Sequence, residues 1–432
     1  MVVNRGSTPS PQETFAQMAQ SAGLRGRIFL TLGILLLARL GIYIPIPGID
    51  RQAFAASIAN NSVLGFVDIF SGGGLSALGV FALGIMPFIN ASIILQLLTS
   101  ALPALENLQK NEGEAGRRQI ARYTRYVALG FAAIQSIGIS FWVMPFAIDP
   151  SPAAFIFETS LALTAGAMFV MWASELITER GIGNGASLLI FVNIVATLPR
   201  ALSQTISLAR ADSSNIGGIV LLVIVFLAMI VGIVFVQEGT RRIPIVSAKR
   251  QVGRKLYREQ KNYLPLRLNQ GGVMPIIFAS AMLILPASIA NFSQNEALVG
   301  IANFLSPSSW FYILFYFVLI LFFSYFYASL ILNPVDVAQN LKKMGSSIPG
   351  IRPGRATSEY LERVLNRLTL LGAIFLGAVA IVPTIVERAT GVTTFQGFGA
   401  TSLLILVGVA IDTSKQVQTY VISQRYERMV DQ

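Results

Sequence analysis

The sequence predicts an all-α integral membrane protein. Ten transmembrane helices form two inverted, pseudo-symmetric halves of five, with a short re-entrant helix near the start. Three observations carry this. Hydrophobic residues make up 54% of the chain and charged residues 12%, against about 25% charged in a soluble domain. Basic residues fall almost wholly on one side of the expected spans. And one nine-residue pattern occurs twice, five spans apart.

Residues 1–23 form a polar tail containing Ser7-Thr8-Pro9-Ser10-Pro11. It lacks the apolar core of a signal peptide and reads as a disordered extension. Apolar runs follow near 28–44, 76–100, 126–146, 155–176, 186–206, 216–236, 272–291, 310–332, 367–386 and 399–413. Most approach the roughly 20 residues that cross a ~30 Å hydrocarbon core. The first half covers 24–206 and the second 207–420, with a tail at 421–432. Residues 61–74 are apolar but too short to cross, and Gly72-Gly73-Gly74 breaks them from span 2. Such a segment reads as re-entrant.

Ten spans leave both termini on one side. Only Arg51, Arg200, Arg210 and Arg388 fall on the other side, and Arg39 lies within span 1; the rest of the 32 basic residues accompany the termini. The positive-inside rule places that side in the cytoplasm.

The repeated pattern is Gly-Ile-Met-Pro-Phe-Ile-Asn-Ala-Ser at 84–92 and Gly-Val-Met-Pro-Ile-Ile-Phe-Ala-Ser at 272–280. Gly84 matches Gly272 and Pro87 matches Pro275. Paired Gly/Pro-interrupted spans in corresponding halves point to the pathway through a membrane protein. Both prolines are expected to remove backbone hydrogen bonds within facing spans and let them bend. A fainter echo links Gly183–Ile190 of span 5 with Gly397–Ile405 of span 10.

The chain contains no Cys and no His. This excludes disulfides, thiolate and imidazole metal sites, and Ser-His or Cys-His nucleophiles. There is no phosphate-binding GxxxxGK[ST] motif. No catalytic, metal or cofactor site is expected. Spans 2, 5, 7 and 10 carry almost no charge at mid-depth, where ion and proton carriers bury theirs. Their candidates are Ile85, Ile89, Ile190, Ile194, Ile277 and Ile405. Spacing alone favours ordinary packing, but the repeat pairs Ile89 with Ile277 and Ile190 with Ile405. A ring of β-branched side chains makes a defined apolar constriction that gives ions nothing to bind. A transporter with inverted repeats would need a polar site at that depth. An intramembrane enzyme would need a carboxylate pair, and Glu158 and Glu175 sit at opposite ends of span 4. With Arg39 they read as interfacial or packing residues.

Two cytoplasmic loops exceed what orientation requires. Loop 6/7, about 237–271, carries Arg241, Arg242, Lys249, Arg250 and Arg254 among nine basic residues. Loop 8/9, about 333–366, carries Lys342, Lys343 and the turn Pro349-Gly350-Ile351-Arg352-Pro353-Gly354. Basic, projecting loops suit RNA phosphate or an acidic protein surface, and the Pro/Gly turn presents Arg352.

From about Leu24 to Tyr426 the sequence resembles the SecY family, central subunits of the bacterial protein-conducting channel. The segments that carry the resemblance include Ile44-Pro45-Ile46-Pro47-Gly48-Ile49-Asp50, Phe70-Ser71-Gly72-Gly73, Ala82-Leu83-Gly84-Ile85-Met86-Pro87, Thr178-Glu179-Arg180-Gly181-Ile182-Gly183-Asn184-Gly185, Ala248-Lys249-Arg250-Gln251 and Thr401-Ser402-Leu403-Leu404-Ile405. The resemblance implies a gated passive conduit for secretory polypeptides, with lateral release of apolar segments into the lipid bilayer. The six isoleucines correspond to the pore ring. Val63, Leu64, Phe66, Val67, Ile69, Phe70, Ser71 and Gly72 correspond to the plug. Gly84, Pro87, Gly272 and Pro275 become gate hinges, and spans 2 and 3 against 7 and 8 the lateral gate. The basic loops become the docking site for the ribosome and its rRNA and for the SecA motor. SecE and SecG are the implied membrane partners, and translocating polypeptides with their signal sequences the substrate. The implied location is the bacterial plasma membrane or a thylakoid membrane.

Overall fold

The computed structural model describes residues 22–51, 53–54, 68, 71–148, 151–211, 216–247, 250–252, 255–257, 261–292, 309–390 and 400–430. The helices are α1 (Ala22–Gly41), α2 (Met86–Ala101), α3 (Pro103–Asn111), α4 (Gly113–Val143), α5 (Pro152–Arg180), α6 (Gly185–Ala211) and α7 (Ile216–Glu238). Strands β1 (Thr240–Ser247), β2 (Arg250–Val252), β3 (Lys255–Tyr257) and β4 (Lys261–Arg267) follow. Then come α8 (Met274–Phe292), α9 (Trp310–Ile331), α10 (Pro334–Lys343), β5 (Ser346–Ser347), α11 (Arg355–Thr390) and α12 (Ala400–Val430).

A helix occupies each of the ten expected segments. Among the described residues, five helices are long and apolar enough to cross a membrane. A sixth qualifies if α2 and α3, bent by 103° at the break between them, count as one. Helices α4, α11 and α12 run well past the apolar runs, because Arg, Glu, Lys and Gln continue them into water as good helix formers.

Two expectations are corrected. Span 2 does not begin at 76: residues 71–85 are turns, and the helix starts at Met86. The chain is also not all-α. β1 pairs antiparallel with β4 from Thr240↔Arg267 to Val246↔Lys261, and β5 adds to the other edge of β1 through Val246↔Ser347. Ile243 and Ile245 are buried while Arg242 and Pro244, which alternate with them, are exposed. That is the two-residue period of a half-buried strand. The high charge of the loop hides it.

Packing separates two units, one running to Leu202 and resuming at Val409, the other spanning Ser203–Gly408. This is a division of contacts rather than of internal symmetry. In the first unit, α2 and α5 both pack on α4. Ser136 Oγ lies 2.8 Å from Thr164 Oγ1 and Ser140 Oγ 2.9 Å from Ser160 Oγ, bonding α4 to α5. Small hydroxyl residues permit this close approach where no water competes. Arg125 and Glu175 pair at 2.8 Å between the same helices, so Glu175 has a packing role. In the second unit, α9 packs on α8 and α11. The sheet rests on an apolar cluster of Ile243, Leu266, Ile348, Leu361, Val364, Leu365 and Leu368. The two basic loops are therefore one folded base.

Candidate functional site

The two copies of the repeated pattern have the same backbone. Gly84 has φ +54° and Gly272 φ +59°, and a helix begins two residues after each, at Met86 and Met274. The left-handed conformation is why glycine stands there. The residue after each glycine supplies the first helical acceptor. Ile89 N donates to Ile85 O at 3.1 Å, and Ile277 N donates to Val273 O at 3.3 Å. Pro87 and Pro275 are thus the second residues of α2 and α8. There the missing N–H has no intrahelical acceptor to serve, and the fixed φ suits the turn. This corrects the expectation of mid-span bends: the prolines start helices, and the left-handed backbone lies at the glycines before them.

All six candidate isoleucines are buried: Ile85, Ile89, Ile190, Ile194, Ile277 and Ile405. Ile85 is the N-cap residue of α2, one turn ahead of Ile89. Ile190 and Ile194 are one turn apart on α6. That helix is started by Asn184, whose Oδ1 accepts from Ala186 N and Ser187 N at 3.1 and 3.3 Å. The first four isoleucines belong to the first unit, Ile277 and Ile405 to the second.

Of the plug candidates, Val63, Leu64, Phe66, Val67, Ile69 and Phe70 lie outside the described residues. Ser71 and Gly72 are buried. Asp68 ties this turn together: its carbonyl accepts from Gly73 N and Ser71 Oγ, and its carboxylate accepts from Ser76 N at 2.7 Å. The segment 71–85 is then stitched to the chain after α1. Val80 N donates to Ile44 O at 2.9 Å and Ile46 N to Leu78 O at 3.2 Å.

Of the basic candidates, Arg241, Arg242, Lys342, Lys343 and Arg352 are exposed on the base. Arg250 opens β2, and Lys249 and Arg254 lie outside the described residues. Thr357 Oγ1 donates to the Arg352 carbonyl at 2.8 Å, and Gly350 and Gly354 adopt φ +78° and +107°. The turn is rigid and leaves the Arg352 side chain in water. Lys342 and Lys343 end α10, where they also complement the helix dipole. Among the described residues no group of carboxylates is placed to hold a metal ion.

Residues 79–414 match the SecY family model. Protein translocase subunit SecY of Synechococcus elongatus is 72% identical over the whole of both chains. The SecY subunit of Synechocystis is 68% identical, also over the whole of both. That of Aquifex aeolicus is 46% identical over 94% of this chain and 96% of its own. A solved protein-conducting channel shares the fold with a TM-score of 0.63, at 17% identity, over 96% of this chain and 94% of its own. Sec61 from a canine ribosome-channel complex gives 0.60 at 16% identity, over 96% and 94%. The family model spans most of the sequence and two of these relatives span all of it, so the chain belongs to the SecY family.

Proposed function

We propose that the chain is the central subunit of a protein translocase, a gated passive conduit for secretory polypeptides. The observation that carries this is the paired Gly-x-Met-Pro helix start with its buried isoleucines, in a chain 72% identical along its length to protein translocase subunits. It is a channel subunit rather than an enzyme, and energy comes from a motor such as SecA or from synthesis at the ribosome.

Ten spans cross the bacterial plasma membrane, or a thylakoid membrane, with both termini cytoplasmic. The isoleucines form an apolar constriction that closes around a passing chain. Residues 61–74 act as the plug. Spans 2, 3, 7 and 8 act as the lateral gate, with Gly84 and Gly272 as its hinges. A segment in the gate partitions by free energy. Each Leu-like residue gains roughly 0.3–0.6 kcal/mol on entering lipid, whereas Asp, Lys or Arg costs roughly 2.5–3.5. About 20 apolar residues therefore leave sideways and polar segments continue across. SecE and SecG complete the membrane complex. The folded basic base docks SecA or the ribosome; relatives of this fold include Sec61 and Ssh1 channels solved on ribosomes.

The test is photocrosslinking from positions 89 and 277 to a stalled secretory chain in membranes. Crosslinks at both positions are expected. None at either, with export intact, would return these isoleucines to packing.

A further inference from the structure

Arg39 stands in the last turn of α1 among exposed apolar neighbours, Leu36, Leu37 and Leu40. A cation near the end of a span ordinarily reaches outward to the headgroups. Arg39 turns inward. Its Nη1 donates to the carbonyl of Gly72, and its guanidinium lies 5.8 Å from the ring of Tyr43. Gly72 has φ +71°, and a Cβ there would fall 2.5 Å from Arg39 Nη1 and 2.8 Å from Asn193 Oδ1. Asn193 is on α6, beside Ile194. Three separate pieces of chain therefore meet around Gly72: the end of α1, the turn that closes the plug candidates, and the helix that carries two of the isoleucines.

The segment that Arg39 holds is itself strained. Leu78 has φ +44°, a conformation that an L side chain with a Cβ rarely adopts. Such a residue persists only where its surroundings over-determine it. Leu78 is fully buried, and its carbonyl accepts from Ile46 N. Backbone bonds to 44–46 hold this far end of the segment. At its near end, Arg39 is what reaches from α1. A hydrogen bond from an ionised donor in a poorly hydrated place is stronger than a neutral one.

We propose that Arg39 is a positioning residue for the resting channel. By gripping the Gly72 carbonyl it fixes the turn at 71–74 to α1, against Asn193 of α6, and so sets how tightly the conduit is shut when no polypeptide occupies it. This rests on the conduit reading above. Arg39 touches no substrate; it acts through the chain it holds.

The test compares Arg39→Gln and Arg39→Lys in the full chain, purified in its membrane complex and reconstituted in lipid vesicles. Hydrogen exchange of amides 71–85 reads the grip, and iodide efflux from the vesicles reads the seal. Arg39→Gln should speed exchange at 71–76 by tenfold or more and raise efflux severalfold. Arg39→Lys, which keeps the charge but loses the planar fork, should restore part of both. Gly72→Ala, which crowds the same site, should give the same phenotype, and the double variant should be no worse than either single. If Arg39→Gln fails to assemble, Gly72→Ala and Asn193→Leu carry the same two readouts. Exchange unchanged in the variants overturns the grip. Faster exchange with unchanged efflux overturns its role in the seal. Failure of the unaltered chain to translocate any polypeptide would instead overturn the conduit reading.

Discussion

Gly84 and Gly272 are conformational twins, 188 positions apart in the chain, at φ +54° and +59° and each two residues ahead of a helix. A Cβ at 84 would find only Ser71 Cα, at 3.8 Å, and one at 272 would find nothing within 4 Å. Alanine at either position therefore costs backbone strain alone, about 1–2 kcal/mol. The expected result is a matched loss in thermal stability for the two variants in detergent. Pro87→Ala should change stability by no more than about 1 kcal/mol, since proline at a helix start only restricts the unfolded chain. A gain of about 3 kcal/mol from that substitution would mean that Pro87 interrupts a helix interior after all.

Ile89 and Ile277 are matched by the same twins, and each donates its amide to the residue after its glycine. Replacing both with Asn should raise ion leak through resting vesicles and admit weaker signal sequences. In the proposed constriction, Asn would put polar groups where an apolar wall excludes ions by dewetting. Ion leak and signal stringency both unchanged in the double variant would remove these residues from the seal. Ile89→Val, by contrast, should cost about 0.5–1.5 kcal/mol of stability and leave leak near its resting level.

The hydroxyl pairs Ser136–Thr164 and Ser140–Ser160 should contribute little each. Interhelical hydrogen bonds in membranes average about 0.6 kcal/mol, because the separated helices find other partners. A double-mutant cycle of Ser136→Ala with Thr164→Val should return a coupling near that value by thermal or denaturant unfolding. A coupling above about 2 kcal/mol would show that this part of α4 and α5 has no alternative partners.

What the sequence made legible follows from the physics of each signal. Helical segments in lipid need long apolar runs, so their positions and order show in hydropathy. Gly84 and Gly272 showed because a positive φ leaves little choice of residue. The start of α2 was misplaced because 76–85, Ser-Ala-Leu-Gly-Val-Phe-Ala-Leu-Gly-Ile, is as apolar as a helix yet is folded as turns. Its buried glycine Gly79 explains why: a Cβ there would run into the carbonyl of Ile42. The inward turn of Arg39 was equally hidden, since the acceptor is a backbone carbonyl 33 residues away and has no side chain to read. The β1–β4 pairing escaped because Arg241, Arg242 and Arg267 are exposed and dense enough in charge to suggest a loop, although Ile243, Ile245 and Leu266 beside them are buried.

That last arrangement separates docking from stability in the base, and the two are testable apart. Arg241, Arg242 and Arg352 are exposed, whereas Leu361 is fully buried beneath the sheet. Reversing the three arginines to Glu should leave unfolding temperature nearly unchanged, because exposed charges are strongly hydrated and screened. Leu361→Ala should cost about 2–5 kcal/mol. If the base binds ribosomal RNA, affinity must fall with salt through counterion release. Each lost phosphate contact then lowers the slope of log K against log salt by roughly 0.7–0.9. The triple variant should therefore bind ribosomes more weakly and also with a shallower salt dependence, measured by cosedimentation across a salt series. Weaker binding with an unchanged slope would mean that these arginines face protein or solvent, and that the phosphate contacts come from other basic residues of the chain.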